Sequence, residues 1–277
     1  MSFPGKQLGW KATLNLAFKH TPQKTVLANR SQSGPLTVQR PFYPEGDICH
    51  IYLLHPPGGV VGGDELHINV ILEDAARVLM TTPGATKFYR SNGALARQEQ
   101  VLTIADNCSL EWFPQENIFF NETQSQLSTR INLSGSARFM GWEINCYGRP
   151  ASDLLFNEGR VTTSLEIYRD GNPVLLDKLL IADNRALQSR VSMDQFPCFG
   201  TLVATHATQE LLEKARNISQ TIGKEQQLGI TLLDDILIVR CLGEYAEQIS
   251  TTLKLIWSAL RQDVLGRKAC HPRIWST

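Results

Sequence analysis

The chain has 277 residues, with 27 basic and 27 acidic side chains and 42% hydrophobic residues. That is enough apolar material for a sizeable core, and the balanced charge, with no basic stripe, argues against a partner held through nucleic-acid phosphates. No apolar run approaches the ~20 residues that span a bilayer, and the opening Met1-Ser2-Phe3-Pro4-Gly5-Lys6 lacks the basic-then-apolar order of a secretory leader, so a cytoplasmic protein without a membrane role is expected.

Strands are predicted to dominate the first two-thirds of the chain. Trp10, Ala12, Leu14, Leu16 and Phe18 alternate with Lys11, Thr13, Asn15 and Ala17, the period of a strand with one buried face. A Gly-rich run follows, with Gly58, Gly59, Gly62 and Gly63 ending on Asp64. The segment from Leu66 to Leu72 alternates again. From Arg138 to Cys146 one face carries Met140, Trp142 and Ile144, and the other Phe139, Gly141, Glu143 and Asn145. Val161, Thr163, Leu165 and Ile167 form the next apolar face, with Thr162, Ser164 and Glu166 opposite. Pro56-Pro57-Gly58-Gly59, Pro83-Gly84, Ser134-Gly135 and Asp170-Gly171 punctuate these runs as turns.

Two helices are predicted in the C-terminal third. The first runs from about Gln209 to Ile222, with Thr208 as its cap, Glu210 in its first turn and Gly223 as its stop; Leu211, Ala215, Ile218 and Ile222 line one face. A hairpin follows, 229–233 and 236–241, turning at Asp234-Asp235. The second helix runs from about Glu244 to Gln262 with Ala246, Ile249, Leu253, Ile256 and Leu260 as its stripe, and Trp257 beside it. No Pro/Gly/Ser-rich linker divides the chain, so residues 1–277 read as one domain.

Templates for catalysis are missing. There is no G-x-S-x-G elbow, no H-E-x-x-H and no G-x-x-x-x-G-K-[ST]. The glycines at 58–63 lack dinucleotide spacing and lead into a strand rather than a helix N-terminus, so they read as a bend. The bend leaves open why it ends on Asp64. Cys49, Cys108, Cys146, Cys198, Cys241 and Cys270 form no close pair and read as small buried or half-buried thiols. Among His20, His50, His55, His67, His206 and His271 no two have helical ligand spacing; His55 and His67, which flank the bend, are the best metal candidates of that set. Phe119, Phe120, Trp257 and Trp275 are candidates for partner binding through an apolar docking face, and Trp275 is also expected to be packed in the C-terminal tail.

Taken together, several segments carry a family likeness. They are the run from His55 to Asp64, Thr81-Thr82-Pro83-Gly84-Ala85-Thr86-Lys87-Phe88-Tyr89-Arg90-Ser91, and Leu110-Glu111-Trp112-Phe113-Pro114-Gln115-Glu116-Asn117-Ile118. The run from Pro35 to Glu45, Gly148-Arg149-Pro150-Ala151-Ser152 and the ending Pro272-Arg273-Ile274-Trp275-Ser276-Thr277 complete the set. With these segments in the family's order along the sequence, the chain resembles the UreD (UreH) family of urease accessory proteins from near residue 35 to its last residue. One departure stands at Asp153-Leu154, where the family usually continues Gly-Glu.

The resemblance implies a protein that is not an enzyme. It implies a mainly β fold of stacked, irregular β layers, β-helical or sandwich-like, with a small helical part. It implies binding to UreF and through it to the GTPase UreG, and docking of that assembly on apo-urease. Nickel(II) is then a passenger and not a tightly bound cofactor, and the family's suggested mechanism passes it through the UreD-like subunit. Such a route needs oxygen donors that hold the ion loosely on a polar wall. Asp64, Glu143 and Glu166 are the acids placed there, with Arg149 and Arg240 as counter-charges. The alternatives are a β-sandwich ligand-binding module without a metal-delivery role, using Trp112 and Trp142, and a hydrolase using Asp64 with Glu111 or Glu116.

Overall fold

A computed structural model describes residues 9–223 and 225–276. The chain opens with the antiparallel pair β1 (Lys11–His20) and β2 (Thr25–Ser33), followed by the short β3 (Thr37–Val38). It then repeats one circuit, laying a strand in one sheet and the next long strand in the facing sheet. β4 (Cys49–Leu54) leads to β5 (Glu65–Glu73). β6 (Arg77–Thr81) leads through the short β7 (Thr86–Phe88) to β8 (Ala96–Ile104). β9 (Ser109–Phe113) leads through β10 (Asn117–Phe119) to β11 (Gln124–Leu133). β12 (Arg138–Arg149) leads through β13 (Leu154–Leu155) to β14 (Glu158–Arg169).

These circuits stack in parallel. β1, β5, β8, β11 and β14 pair side by side in one sheet, and β4, β6, β9 and β12 in the other. The expected stacked β layers are therefore β-helical at the centre. The ends are antiparallel. β15 (Asn172–Asp183) folds back on β14. After the short helix α1 (Asn184–Gln188), β16 (Cys198–Ala204) pairs with β12. Helix α2 (Gln209–Ser219), the hairpin β17 (Gln227–Leu233) with β18 (Ile236–Gly243), and helix α3 (Ala246–Leu265) complete the fold. The first sheet runs β15-β14-β11-β8-β5-β1-β2 and the second β17-β18-β16-β12-β9-β6-β4-β3.

The two sheets differ in what covers them, and the sequence pattern follows. In the first sheet Leu66, Ile68, Val70 and Leu72 of β5 are buried while alternate residues face outward. The second sheet is covered on both faces, so β9 and residues 49–53 of β4 are buried without alternation. Phe139 and Tyr147 of β12 join the core between the sheets, whereas Met140, Trp142, Ile144 and Cys146 join a second core beneath α2 and α3. Stacking also places like side chains above one another: the rings of Phe88, Phe119 and Tyr147 form a ladder with centroids 5.0 and 5.4 Å apart.

The helices hold to their sequence signals with shifted ends. Thr208 Oγ1 accepts the Leu211 N–H and starts α2. α2 stops at Ser219, short of Ile222, because the Ser219 and Thr221 hydroxyls donate to the carbonyls of Arg216 and Ile218 and fold the last turn over. α3 continues to Leu265, beyond Gln262, and ends where Gly266 takes a left-handed φ of 72°. The short α1, capped by Asp183, carries too few residues for a periodic signal.

Candidate functional site

Every glycine of the run at 58–63 has a local reason. Gly58 and Gly63 have φ of 76° and 95°. A Cβ on Gly59 would stand 2.2 Å from the Tyr89 ring, and one on Gly62 would stand 2.8 Å from the Ala94 carbonyl. Asp64 closes the loop: its carboxylate accepts the Trp10 N–H at 2.7 Å and the Val61 N–H at 2.9 Å. The residue is buried and both oxygens are engaged by backbone.

The polar features lie between the sheets. Strand register puts Gln100, Thr129, Leu165 and Asp177 in one row across β8, β11, β14 and β15. Register in the facing sheet aligns Glu143, Thr201 and Arg240 across β12, β16 and β18. The rows are joined twice. Thr129 Oγ1 donates to the Glu143 carboxylate, and Arg240 Nη2 donates to Asp177 Oδ2 at 2.6 Å.

Small cavities run along these rows. An outer hollow of about 190 Å³ lies between His55, Gly58 and the Pro83-Gly84 turn. It shares His55, Thr82 and Thr86 with an inner cavity that reaches Gln98, Gln100, Asn117 and Glu143. Beyond Glu143 a further cavity is bounded by Asn145, Thr163, Asp177 and Thr201. The inner two each hold about 30 Å³, enough for water at sites with polar partners. The Gln100 side-chain carbonyl and the Trp112 indole N–H line this space, and both are buried with no partner among the described protein groups.

Electrostatics single out Glu143. Enclosure by protein pushes its carboxyl up to about 6; the Asp177 charge adds to that, and the Thr129 hydrogen bond opposes it. The group thus exchanges a proton near neutrality. Burial lowers the His55 imidazole below its usual value against the pull of Asp64, which favours a neutral ring with a free lone pair at the outer hollow.

The acids named from sequence are not brought together. Glu143 faces the interior, Asp64 braces the Gly-rich loop, and Glu166 lies on the outer face of β14, where the Tyr168 hydroxyl donates to it at 3.2 Å. Strand parity separates Glu166 from the inward Thr163, Leu165 and Ile167. His67 is also outward and meets Glu99 at 3.1 Å. Arg149 stacks its guanidinium over Phe120 at 4.8 Å, away from the interior. Arg240 has its carboxylate partner, Asp177, which the sequence reading missed. Leu175, Asp177, Leu179 and Ile181 carry the alternation that would have revealed it. Asp153 lies in a left-handed turn with φ of 55°, and Leu154 and Leu155 that follow are exposed.

Two of the aromatic docking candidates are core residues. Trp257 is fully buried and its indole N–H donates to Glu111 at 2.8 Å. Phe119 is fully buried in the ring ladder. Neither offers a docking face, because helix α3 and the stacked coils consume these rings as core. Trp275 is half-buried, packs on Phe113, Trp142 and Trp257, and donates to Thr81 Oγ1 at 3.0 Å. Phe120 remains half-buried beside Tyr89. Trp112 and Trp142 are buried, so they form no exposed surface for a ligand. Glu111 is held by Arg261 and Arg267 as well as Trp257, which leaves it no free oxygen for acid–base work.

Among the described residues no three His, Cys, Asp or Glu side chains converge as a metal site. No helix among them is long and apolar enough to cross a membrane.

Comparison with known proteins gives a consistent result. A family profile described as UreD urease accessory protein matches residues 11–276. The chain is 47% identical over 277 residues to a urease accessory protein UreD of Alcanivorax borkumensis, covering 99% of this chain and 94% of that one. It is 43% identical over 278 residues to the one of Aliivibrio fischeri, covering 97% of each. It is 44% identical over 273 residues to the one of Escherichia coli, covering 97% and 98%.

Proposed function

The chain belongs to the UreD family of urease accessory proteins, and from that premise we propose that it is a cytoplasmic, non-enzymatic scaffold that passes nickel(II) to apo-urease. In this reading it works with a UreF-like partner and, through it, a UreG-like GTPase. Nickel is cargo and stays bound only in transit.

The observation that carries the reading is the succession of small cavities, with polar groups set among apolar side chains, from His55 past Glu143 to Asp177. A divalent ion crossing a protein needs oxygen donors to replace lost water, yet must leave again. One titrating carboxylate among amide and hydroxyl groups meets both needs. Glu143 gives up its proton as the cation arrives and recovers it when the cation leaves. Thiolates would hold nickel too well, and Cys146 and Cys198, the closest thiol pair at 3.2 Å, lie on the other face of β12 and β16. Asp64 and Glu166 take no part in this route as built, since neither faces the cavities.

Glu143→Gln tests the reading, because it keeps the shape and removes the charge. In a reconstituted activation system, assembly with the UreF-like partner should be unchanged, while nickel in urease and urease activity fall several-fold. Wild-type nickel content with this variant would sink the route.

A further inference from the structure

We propose that Arg240 is a charge gate on this passage: by holding Asp177 it closes the cavity beside Glu143 to divalent cations, and the passage opens when its guanidinium is drawn away. The proposal rests on the nickel-route reading above and adds the element that controls it.

Register places the gate. Glu143, Thr201 and Arg240 are consecutive partners across three strands, so Arg240 points to the same interior face as Glu143, two strands nearer the edge of its sheet. Asp177 stands on the facing edge strand, β15, and turns inward with Leu175 and Leu179. The ion pair therefore bridges the two sheets at the open side of the passage. Asp177 and Glu143 bound one cavity, and the guanidinium sits against the first of them.

Charge explains the closing. With Arg240 seated, an arriving dication meets an acid, Asp177, whose charge is already paired. With Arg240 withdrawn, two carboxylates face the same space. Asn145, Thr163 and Thr201 supply neutral oxygens there. The unpaired Gln100 carbonyl, whose residue is 6% exposed, lies in the adjoining cavity that also contains Glu143.

Mobility explains the opening. The Arg240 and Asp177 side chains are 48% and 30% exposed, so the pair is weak enough to break readily. The next residue in the row, Gly229, has open space where a Cβ would stand, which leaves room beside the guanidinium. The contrast is with Arg261, which is fully buried between two glutamates and cannot swing.

The test is nickel(II) binding to the full-length chain by equilibrium dialysis, with Arg240→Gln, Arg240→Lys and the double variant Arg240→Gln/Glu143→Gln. Arg240→Gln should bind roughly tenfold more tightly, the scale expected from deleting one nearby charge in a partly buried site. Arg240→Lys should resemble wild type, and the double variant should lose the gain. Unchanged binding in Arg240→Gln overturns the gate, as does a gain that survives the added Glu143→Gln. Should Arg240→Gln melt too low to assay, Arg240→Met keeps the packing stem and answers the same question. Normal urease activation by Glu143→Gln alone would remove the route itself. Lost activation there, with no binding gain in Arg240→Gln, would remove only the gate.

Discussion

Asp64 and Glu143 are both acids that the chain places near its interior, yet their surroundings give them opposite work. Asp64 spends its two oxygens on the N–H groups of Trp10 and Val61 and so ties β1 to the Gly-rich loop. Glu143 accepts from one hydroxyl and otherwise faces cavity. An Asn at position 64 can satisfy only one of the two amides and would set an NH₂ against the other. Asp64→Asn is expected to destabilise the chain by about 1–2 kcal/mol in urea unfolding. Nickel transfer, scaled to folded protein, should stay at the wild-type level. Lost transfer with unchanged stability would restore Asp64 to the nickel route. The glycines beside it are similarly local, because Tyr89 and Ala94 occupy the space their side chains would need.

Helix α3 shows how an element's function changes once its neighbours are present. Its stripe of Ile249, Leu253, Ile256 and Leu260 packs on β12 and β16 as an amphipathic helix should. Trp257 broadens that buried stripe. Its ring, with those of Phe113, Trp142 and Trp275, joins the helix, the second sheet and the C-terminal turn at 273–276. Trp275 is the outermost ring and also donates to Thr81. Trp275→Ala should therefore cost about 2 kcal/mol, less than a fully buried ring, because part of it already faces solvent. Urea unfolding followed by tryptophan fluorescence measures this. An unchanged midpoint would mean the tail contributes nothing to the fold.

One ionic network ties together segments far apart in the chain. Arg261 reaches Glu45 before β4, Glu111 on β9 and the carbonyl of Lys268 in the tail, while Arg267 adds a second contact to Glu111 at 3.0 Å. His50 Nε2 lies 2.6 Å from Glu45. Burial would raise both glutamates, but hydrogen bonds from His50 and Arg261 hold Glu45 down at about 2, and Arg261 and Arg267 keep Glu111 below its usual value. A carboxyl lowered on folding adds stability above its unfolded value, and that stability is lost as pH falls toward the folded value. For Glu45 the window runs from 4.5 down to about 2. A shift of that size corresponds to roughly 3 kcal/mol. Glu143 has the reverse sign. Its raised value makes ionisation costly, so it favours the fold more as pH falls from about 6 to 4.5. The His55 and His271 rings, both lowered by burial, lose stability as pH falls through the same range and oppose this gain. Urea midpoints should therefore change little between those values and drop steeply below them. A steep decline beginning near pH 6 would show that the buried network does not control acid stability.

Much of this architecture is written in local pattern. Period-2 runs marked β1, β5 and β14 and their inward faces, Thr208 marked the start of α2, and the motif from His55 to Asp64 marked the family. Those features depend on neighbours a few residues away, which a chain displays directly. Other features depend on what covers a strand. β12 reads as two faces, and its alternation cannot tell which one faces the cavities between the sheets when helices bury the other as deeply. Trp257 reads as surplus beside a helical stripe until β9 supplies Glu111 and the tail supplies Trp275. The pairing of Asp177 with Arg240 joins residues 63 apart through the register of two sheets. Side-chain period comes from backbone geometry and is local; contact across a stacked β fold comes from the order in which coils pair, and only the assembled tertiary structure decides it.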